Sequence, residues 1–213
     1  MSFSTECRLC PRLAGFLAQV RSEYPAYHGL PVSSFGAAGS RFLIVGLAPG
    51  MHGANRTGRP FTGDFAGNLL YGSLHKYAFA SSPEPLAQAG KANPDLTLKG
   101  CRITNAVRCL PPQNKPEPSE IRACNRYLVE ELALLPQDAA VLALGTVAHN
   151  ALLQALQLKQ GSVKFAHAAR HILPSGRVLF DSYHCSRYNT QTRRLTVEMF
   201  EAVIANIADY LRS

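Results

Sequence analysis

Short apolar runs alternate with amphipathic stretches along this chain. The apolar runs at 42–45, 101–107, 139–144 and 177–182 are brief and mostly aliphatic, which predicts four strands. Apolar residues recur at helical spacing up to about residue 24 and at 64–80, 119–135 and 195–211, and another helix is expected after residue 146. This alternation predicts an α/β fold with three α/β/α layers around a central, mainly parallel four-stranded sheet.

Polar residues indicate where several helices begin. Asp64 stands at or near the start of the helix over 64–80, and Ser119 and Thr146 are expected to cap the two helices that follow the second and third strands. Lysine, histidine and arginine interrupt any periodicity over 159–176. We expect only a basic loop or a weak hairpin there.

A glycine-rich loop, GLAPGMHGANRTGRPFTGD at 46–64, joins the first predicted strand to a helix. Parallel sheets bind ligands at the carboxyl ends of their strands, and the five glycines between Gly46 and Gly63 allow backbone amides to approach an anion or a flat ring. An ordinary surface loop is the alternative interpretation. The loop contains neither G-x-x-x-x-G-K-[ST] nor G-x-G-x-x-G, which argues against a site for the phosphates of a small nucleotide.

Composition and charge narrow the class of protein. The 213 residues are 46% hydrophobic, which suits one domain over 1–213, and no apolar run approaches the roughly 18 residues of a membrane span. The N-terminus lacks the apolar segment of a secretory signal, so we expect a cytoplasmic protein. We also expect a monomer. The net charge of +8 favours an anionic partner such as nucleic acid.

Four of the six cysteines form two pairs near predicted helix starts. Cys7 and Cys10 are spaced C-x2-C, and 14 residues separate Cys109 from Cys124. Four thiolates suit either an iron–sulfur cluster or a structural zinc ion, and buried, unliganded cysteines are the alternative. Cys101 is expected to be a core thiol. Cys185 adjoins a histidine, but neighbouring residues on a strand point to opposite faces, which argues against a Cys/His nucleophile.

Three long motifs together resemble the uracil-DNA glycosylase superfamily, and within it the iron–sulfur, broad-specificity type B branch, also called family 5. They are the loop at 46–64, TNAVRCLPPQNKP with the later Cys124, and SYHCSRYNTQTRRLT around His184. The resemblance spans almost the whole chain. The third motif departs from the family pattern, because Cys185 stands where a proline usually follows the histidine, and TRRL stands where a glycine is usual.

The resemblance implies a DNA repair enzyme that extrudes a deaminated base from DNA and hydrolyses its N-glycosidic bond to leave an abasic site. It implies that hypoxanthine and xanthine are substrates besides uracil. It also implies a structural 4Fe-4S cluster on Cys7, Cys10, Cys109 and Cys124. The alternative is a non-catalytic metal-cluster protein that binds nucleic acid.

Cleavage of an N-glycosidic bond develops positive charge on the sugar and negative charge on the departing base. We expect Asp64 to supply the anion, because Ala48 stands where related glycosylases carry a polar residue that orients water. His184 can donate an N–H to the base without transferring a proton, and the amide of Asn105 suits the edge of an extruded base. We expect the remaining contacts to substrate from Gly46, Ala48, Pro49, Gly50, His52, Asn55, Arg56, Phe61, Arg187, Arg193 and Arg194.

Phe61 is expected to stack on the base, an interaction that tolerates different bases. A core aromatic is the alternative for Phe61, a helix cap for Asp64, a packed histidine for His184 and a solvated surface charge for each arginine.

Overall fold

The computed structural model describes residues 3–213 and is organised around a five-stranded sheet. The strands are β1 (Phe42–Gly46), β2 (Cys101–Asn105), β3 (Ala140–Leu144), β4 (Arg170–Ile172) and β5 (Val178–Ser182). Their order across the sheet is β2-β1-β3-β5-β4, and every neighbouring pair is parallel except β4 with β5. The prediction of a mainly parallel α/β fold is confirmed.

The predicted number of strands was wrong by one. Strand β4 pairs antiparallel with β5, so the hairpin that was one of two expectations for 159–176 is present. Its sequence gives no strand signal because β4 is only three residues long at the sheet edge, where Arg170 and Ile172 are both exposed. No hydrophobic alternation is needed where neither side of a strand faces the core.

Seven α-helices are present in the described part of the chain. They are α1 (Pro11–Glu23), α2 (Ala54–Thr57), α3 (Phe65–Lys76), α4 (Pro118–Ala133), α5 (Thr146–Ala155), α6 (Arg187–Gln191) and α7 (Val197–Arg212). The sequence did not predict α2 or α6, which span four and five residues. Elements that short complete too few turns to show a hydrophobic period.

Two of the three expected helix caps lie elsewhere. Asp64 caps α3 as predicted, accepting a hydrogen bond from Gly67 N at 3.0 Å. Helix α4 instead begins after Glu117, whose side chain forms a reciprocal capping box with Glu120 and leaves Ser119 inside the first turn. Helix α5 begins after Gly145, and Thr146 is already its first helical residue.

The strands present alternate side chains to two hydrophobic layers. On one face, β-strand residues such as Ile44, Ile103 and Leu142 pack against α3 and α7. On the other face, residues such as Val45 and Val141 pack against α4 and α5. The three-layer arrangement therefore follows from the period-two alternation of buried strands covered on both sides.

Helix α1 lies outside these layers and packs on the segment that follows β2. Leu13 contacts a cluster that contains Val107 and Cys124, and Arg12 pairs with Glu120 of α4 at 2.7 Å. This contact ties the N-terminal helix to the start of α4. Among the described residues, no helix is both long and apolar enough to cross a membrane.

Candidate active site

The loops that follow β1, β2 and β5 emerge together at the carboxyl edge of the parallel strands. Gly46 at the end of β1 is in register with Asn105 at the end of β2. Beyond the strands, Ala106 N still donates to Gly46 O at 2.9 Å. On the other side of β1, β3 is paired with β5, which delivers His184 two residues after its last residue. The glycine-rich loop, Asn105 and His184 consequently share one edge of the sheet, as predicted.

Four of the predicted site residues meet over the end of β1. The Phe61 ring lies against the His184 imidazole, with centroids 5.9 Å apart and planes inclined by 27°. A Cβ added to Gly46 would collide with both Asn105 Oδ1 and the Phe61 ring, whose Cζ would lie only 2.6 Å away. Gly46 is thus a position where close packing, rather than backbone conformation, requires glycine.

Asn105 carries an unsatisfied acceptor. Its side chain is 4% exposed, and Oδ1 has no hydrogen-bond partner in the part of the chain that the structure describes. A buried polar atom without a partner costs about 1–3 kcal/mol. Such an atom at the carboxyl edge of a parallel sheet can accept a hydrogen bond from a ligand N–H.

Phe61 lies in the core and has an unusual backbone conformation. It is 6% exposed and belongs to the hydrophobic core on the α3 side, which agrees with a core aromatic. Its backbone nevertheless has φ of +52°, a conformation that costs bulky residues energy and that recurs at functional sites. Tyr71 supports this turn by donating its hydroxyl hydrogen to Pro60 O at 2.9 Å.

Asp64 divides its two carboxylate oxygens between different surroundings. Oδ1 accepts from Gly67 N at the start of α3, while Oδ2 faces the turn at 50–53, where a Cβ added to Gly53 would lie 2.5 Å from it. Burial raises the pKa of Asp64, and hydrogen bonds from Gly67 and Ala66 partly offset that effect. The helix-cap role and a role in chemistry are therefore compatible.

His184 is held as a neutral imidazole. Burial lowers the pKa of His184 to about 4, so the ring carries no charge at neutral pH. Asn189 of α6 donates to His184 O at 2.8 Å and fixes the backbone that carries the ring. The next residue, Cys185, is fully buried, and the pKa of its thiol is raised by burial and then by the charge of Asp64.

The predicted contacts within the glycine-rich loop differ in accessibility. His52 is exposed at the tip of the turn from Gly50 to Gly53, whereas Pro49 and Asn55 are buried. Asn55 is 0% exposed and donates to Met51 O at 3.4 Å. Ala48 turns its side chain toward the hydrophobic cluster beside the cysteines. Asn55 and Ala48 therefore shape the loop from within.

Arginines lie around His184 on the protein surface. Arg187 is exposed at the first position of α6, and Arg193 is exposed just beyond that helix. Arg194 lies over the Tyr183 ring, with its guanidinium carbon 4.6 Å from the ring centroid. In the 46–64 loop, Arg56 is half-buried and its Nε has no partner among the described residues.

The four predicted ligand cysteines line one apolar pocket between α1, α4 and the segment after β2. Arg108 N donates to Cys124 Sγ at 3.3 Å, and the Tyr127 hydroxyl donates to Cys7 Sγ at 3.3 Å. Burial raises the pKa of Cys109 to about 12 and that of Cys124 to about 11. These thiols need a nearby cation to become thiolates at neutral pH.

The geometry of this pocket bears on which metal it suits. No group of three or more His, Cys, Asp or Glu side chains in the described chain is arranged to hold a metal ion. Four cysteines around one apolar pocket, with hydrogen-bond donors aimed at two of the sulfurs, nevertheless fit the thiolate ligand set of an iron–sulfur cluster. The residues present are compatible with that cofactor.

Two polar contacts near the site were not predicted from the sequence. The Tyr27 hydroxyl lies 2.8 Å from His52 Nδ1, although the two residues are 25 positions apart along the chain. On the other side of the sheet edge, the buried Asp181 lies 2.8 Å from His149 Nδ1 and 3.3 Å from His171 Nε2. The sequence carries no periodic signal for such long-range pairs.

Comparison with known proteins agrees with this geometry. Residues 33–208 match the uracil DNA glycosylase superfamily. The chain is 49% identical to a type-5 uracil-DNA glycosylase of Thermus thermophilus over 94% of this chain and 91% of that protein. It is 39% identical to one of Mycobacterium tuberculosis, covering 92% and 75% of the two chains, and 36% identical to one of Pyrobaculum aerophilum, covering 95% and 88%. Such a match over most of the chain means that this protein belongs to the uracil DNA glycosylase superfamily and, within it, to the type-5 family.

Proposed function

We propose that the protein is a DNA repair glycosylase that extrudes uracil from DNA and hydrolyses its N-glycosidic bond, leaving an abasic site. The names of its type-5 relatives support this assignment. The observation that carries it is the buried, unpartnered Oδ1 of Asn105 beside Phe61 and His184. An extruded uracil would bring its ring N–H to that oxygen and so satisfy it.

Asp64 supplies the negative charge in this proposal. As the glycosidic bond breaks, the sugar becomes positively charged, and a carboxylate near it stabilises that charge in a site with little water. Its Oδ1 stays with the N-terminus of α3, so the side chain is held in one orientation while Oδ2 faces the Gly50–Gly53 turn. That oxygen would also orient the attacking water, a role for which Ala48 has no polar atom.

His184 stabilises the departing base. A neutral imidazole has one ring N–H, which can donate to the base oxygen that becomes negative. Because the pKa of His184 is low, the ring carries a single N–H hydrogen at neutral pH. Phe61 packs against one side of the imidazole and so restricts its rotation. The activation barrier to bond cleavage falls because the imidazole N–H is already oriented before negative charge develops on the base.

The remaining predicted residues bind DNA or shape the pocket. We assign the backbone of Gly46, Ala48, Pro49 and Gly50 to the pocket wall and the ring of Phe61 to stacking on the base. Exposed His52, Arg187 and Arg193 would contact phosphates, giving affinity that falls with salt. Asn55, Arg56 and Arg194 would hold the loops that carry these contacts.

A wider range of deaminated bases follows from the same pocket. Stacking and a single amide contact discriminate poorly between rings, so hypoxanthine and xanthine are further proposed substrates. Both purines offer ring N–H groups to Asn105 Oδ1. Both bases are larger than uracil, so their cleavage would show whether the loop at 46–64 can accommodate them.

We assign a 4Fe-4S cluster to Cys7, Cys10, Cys109 and Cys124. Bound there, the cluster would supply a structural cross-link and the positive charge that keeps the four thiols ionised. The hydrogen bonds from Arg108 N to Cys124 and from Tyr127 to Cys7 would orient those two ligands. In this assignment the cluster holds α1 against the start of α4 and takes no part in bond cleavage.

The test is cleavage of duplexes that contain one uracil, hypoxanthine or xanthine, followed by alkali to break abasic sites. We expect strand breaks with the wild-type protein, and His184→Ala should lower kcat far more than it weakens DNA binding. His75→Ala is a matched control, because His75 lies in the last turn of α3, away from the carboxyl edge. Binding without breaks at every modified base would leave only the non-catalytic alternative.

A further inference from the structure

His52 marks the outer rim of the candidate active site. It lies at the tip of the turn that Gly53 N closes by donating to Gly50 O at 3.2 Å. The inner side of this turn faces the Asp64 carboxylate, since Cβ atoms added to Gly50 or Gly53 would approach Oδ2. His52 itself is exposed. A group at this position is therefore adjacent to the pocket without lining it.

Two tyrosines at the end of α1 hold this imidazole. The Tyr27 hydroxyl lies 2.8 Å from His52 Nδ1. The Tyr24 and Tyr27 rings stack with centroids 4.7 Å apart, and each presents itself nearly at right angles to the imidazole, at 5.9 and 6.0 Å. Tyr27 is itself fixed by a turn, because its N donates to Tyr24 O at 3.0 Å. An exposed side chain with three such contacts has lost most of its freedom to rotate.

The hydrogen bond also decides which ring nitrogen carries the proton. A phenol is a better donor than a neutral imidazole N–H, so the Tyr27 hydroxyl donates to Nδ1 and leaves the hydrogen on Nε2. That N–H is then the polar atom available to solvent. On a chain of net charge +8, next to a pocket that takes a nucleotide, its natural acceptor is a phosphate oxygen of the DNA backbone.

We propose that Tyr27 is a positioning residue that sets the tautomer and direction of His52, so that His52 Nε2–H binds a backbone phosphate beside the extruded nucleotide. This inference rests on the proposed function and adds a DNA contact that is organised by α1. The contact is made equally before and during bond cleavage. It therefore contributes to binding and not to kcat.

The decisive comparison is Tyr27→Phe against Tyr24→Phe. Both variants keep the aromatic stack, but only Tyr27→Phe removes the hydroxyl that bonds His52. We expect Tyr27→Phe to raise KM for a uracil duplex, and Kd for an unmodified duplex, by about three- to tenfold with kcat unchanged. Tyr24→Phe should match the wild type. Equal effects of the two variants, or a fall in kcat, would overturn the proposal.

A cycle with His52→Ala tests whether Tyr27 acts through the imidazole. On the His52→Ala background, Tyr27→Phe should cause no further loss of binding. Nitrogen NMR of the imidazole should show the Nε2–H tautomer in the wild type and a mixture in Tyr27→Phe. Additive losses, or an unchanged tautomer, would contradict the positioning role. Because the duplex-binding and NMR measurements need no cleavage, they remain decisive if the glycosylase assignment itself fails.

Discussion

Phe61 and His184 come from distant parts of the chain and pack ring against ring, with centroids 5.9 Å apart. The contact joins the glycine-rich loop after β1 to the segment after β5. It leaves the imidazole in apolar surroundings, and that burial is what lowers its pKa to about 4. The ring is thereby kept neutral throughout the physiological pH range.

The pH dependence of cleavage should show one acidic limb. His184 is already neutral above about pH 4, so it should cause no change in rate near pH 6.5, where an ordinary histidine titrates. Asp64 must be ionised, and burial raises its pKa, so kcat/KM should rise with pH through a value above that of an ordinary aspartate. Single-turnover rates across pH measure this. Activity that declines as pH rises through about 6.5 would show that the charged imidazole is the active form.

Two substitutions of Asp64 should separate its helix cap from its charge. Asparagine caps helices about as well as aspartate but carries no negative charge, so Asp64→Asn should lose cleavage while keeping thermal stability near that of the wild type. Asp64→Ala should lose cleavage and also about 1 kcal/mol of stability. Strand-break assays and thermal melts report the two effects. Full activity in Asp64→Asn would exclude the electrostatic role.

The cofactor assignment predicts a visible chromophore that depends on four thiols. Protein purified without oxygen should be brown, and Cys124→Ser should lose that absorption together with bound iron. Cys101→Ser is the matched control, because Cys101 is also buried but lies on β2, away from the cysteine-lined pocket. Metal analysis that found stoichiometric zinc in colourless protein would replace the cluster with a single ion.

The buried pair of His149 and Asp181 should make stability depend on pH. Burial alone would lower the pKa of His149, but the hydrogen bond and charge of Asp181 outweigh it, so the pKa lies above its ordinary value. A raised pKa means that the folded state holds the proton more tightly. The stabilisation is therefore fully present below about pH 6.5 and is lost as pH rises through the folded-state pKa.

Thermal melts of wild type and His149→Gln measure this effect. The stability advantage of the wild type should be larger at about pH 6 than at about pH 9. His171 also approaches Asp181, but it is present in both proteins and so contributes little to the difference between them. A difference that stays constant with pH would mean that His149 is neutral in the fold.

How far the sequence predicts this structure depends on which interactions each residue makes. Strands such as β1 and β3 are buried on both faces, so they appear as continuous apolar runs and were located within a residue or two. Strand β4 was not assigned as a definite strand, because an exposed edge strand needs no apolar pattern. Ser119 was predicted as a cap from its residue type. In the structure Glu117 is the N-cap residue and the proline after it is the first residue of α4.

In the candidate site too, residues with a local sequence signal were predicted, whereas contacts that depend on packing were not. Asp64 and His184 were predicted as site residues from residue type, from their place after predicted strands and from the family resemblance, and parallel topology brings such positions to one edge of the sheet. The contact between Tyr27 and His52 was not predicted, because it depends on how α1 packs against the loop after β1. Long-range side-chain geometry of this kind follows from packing and leaves no periodic trace in the sequence.

The absence of a side chain at Gly46 restricts how this pocket can be redesigned. Even one methyl group there would push against the Asn105 amide and against the Phe61 ring. If the proposed function holds, attempts to alter base preference must therefore keep glycine at this position. In that proposal, the exposed rim at His52 is where a new side chain would displace water and not the supporting protein.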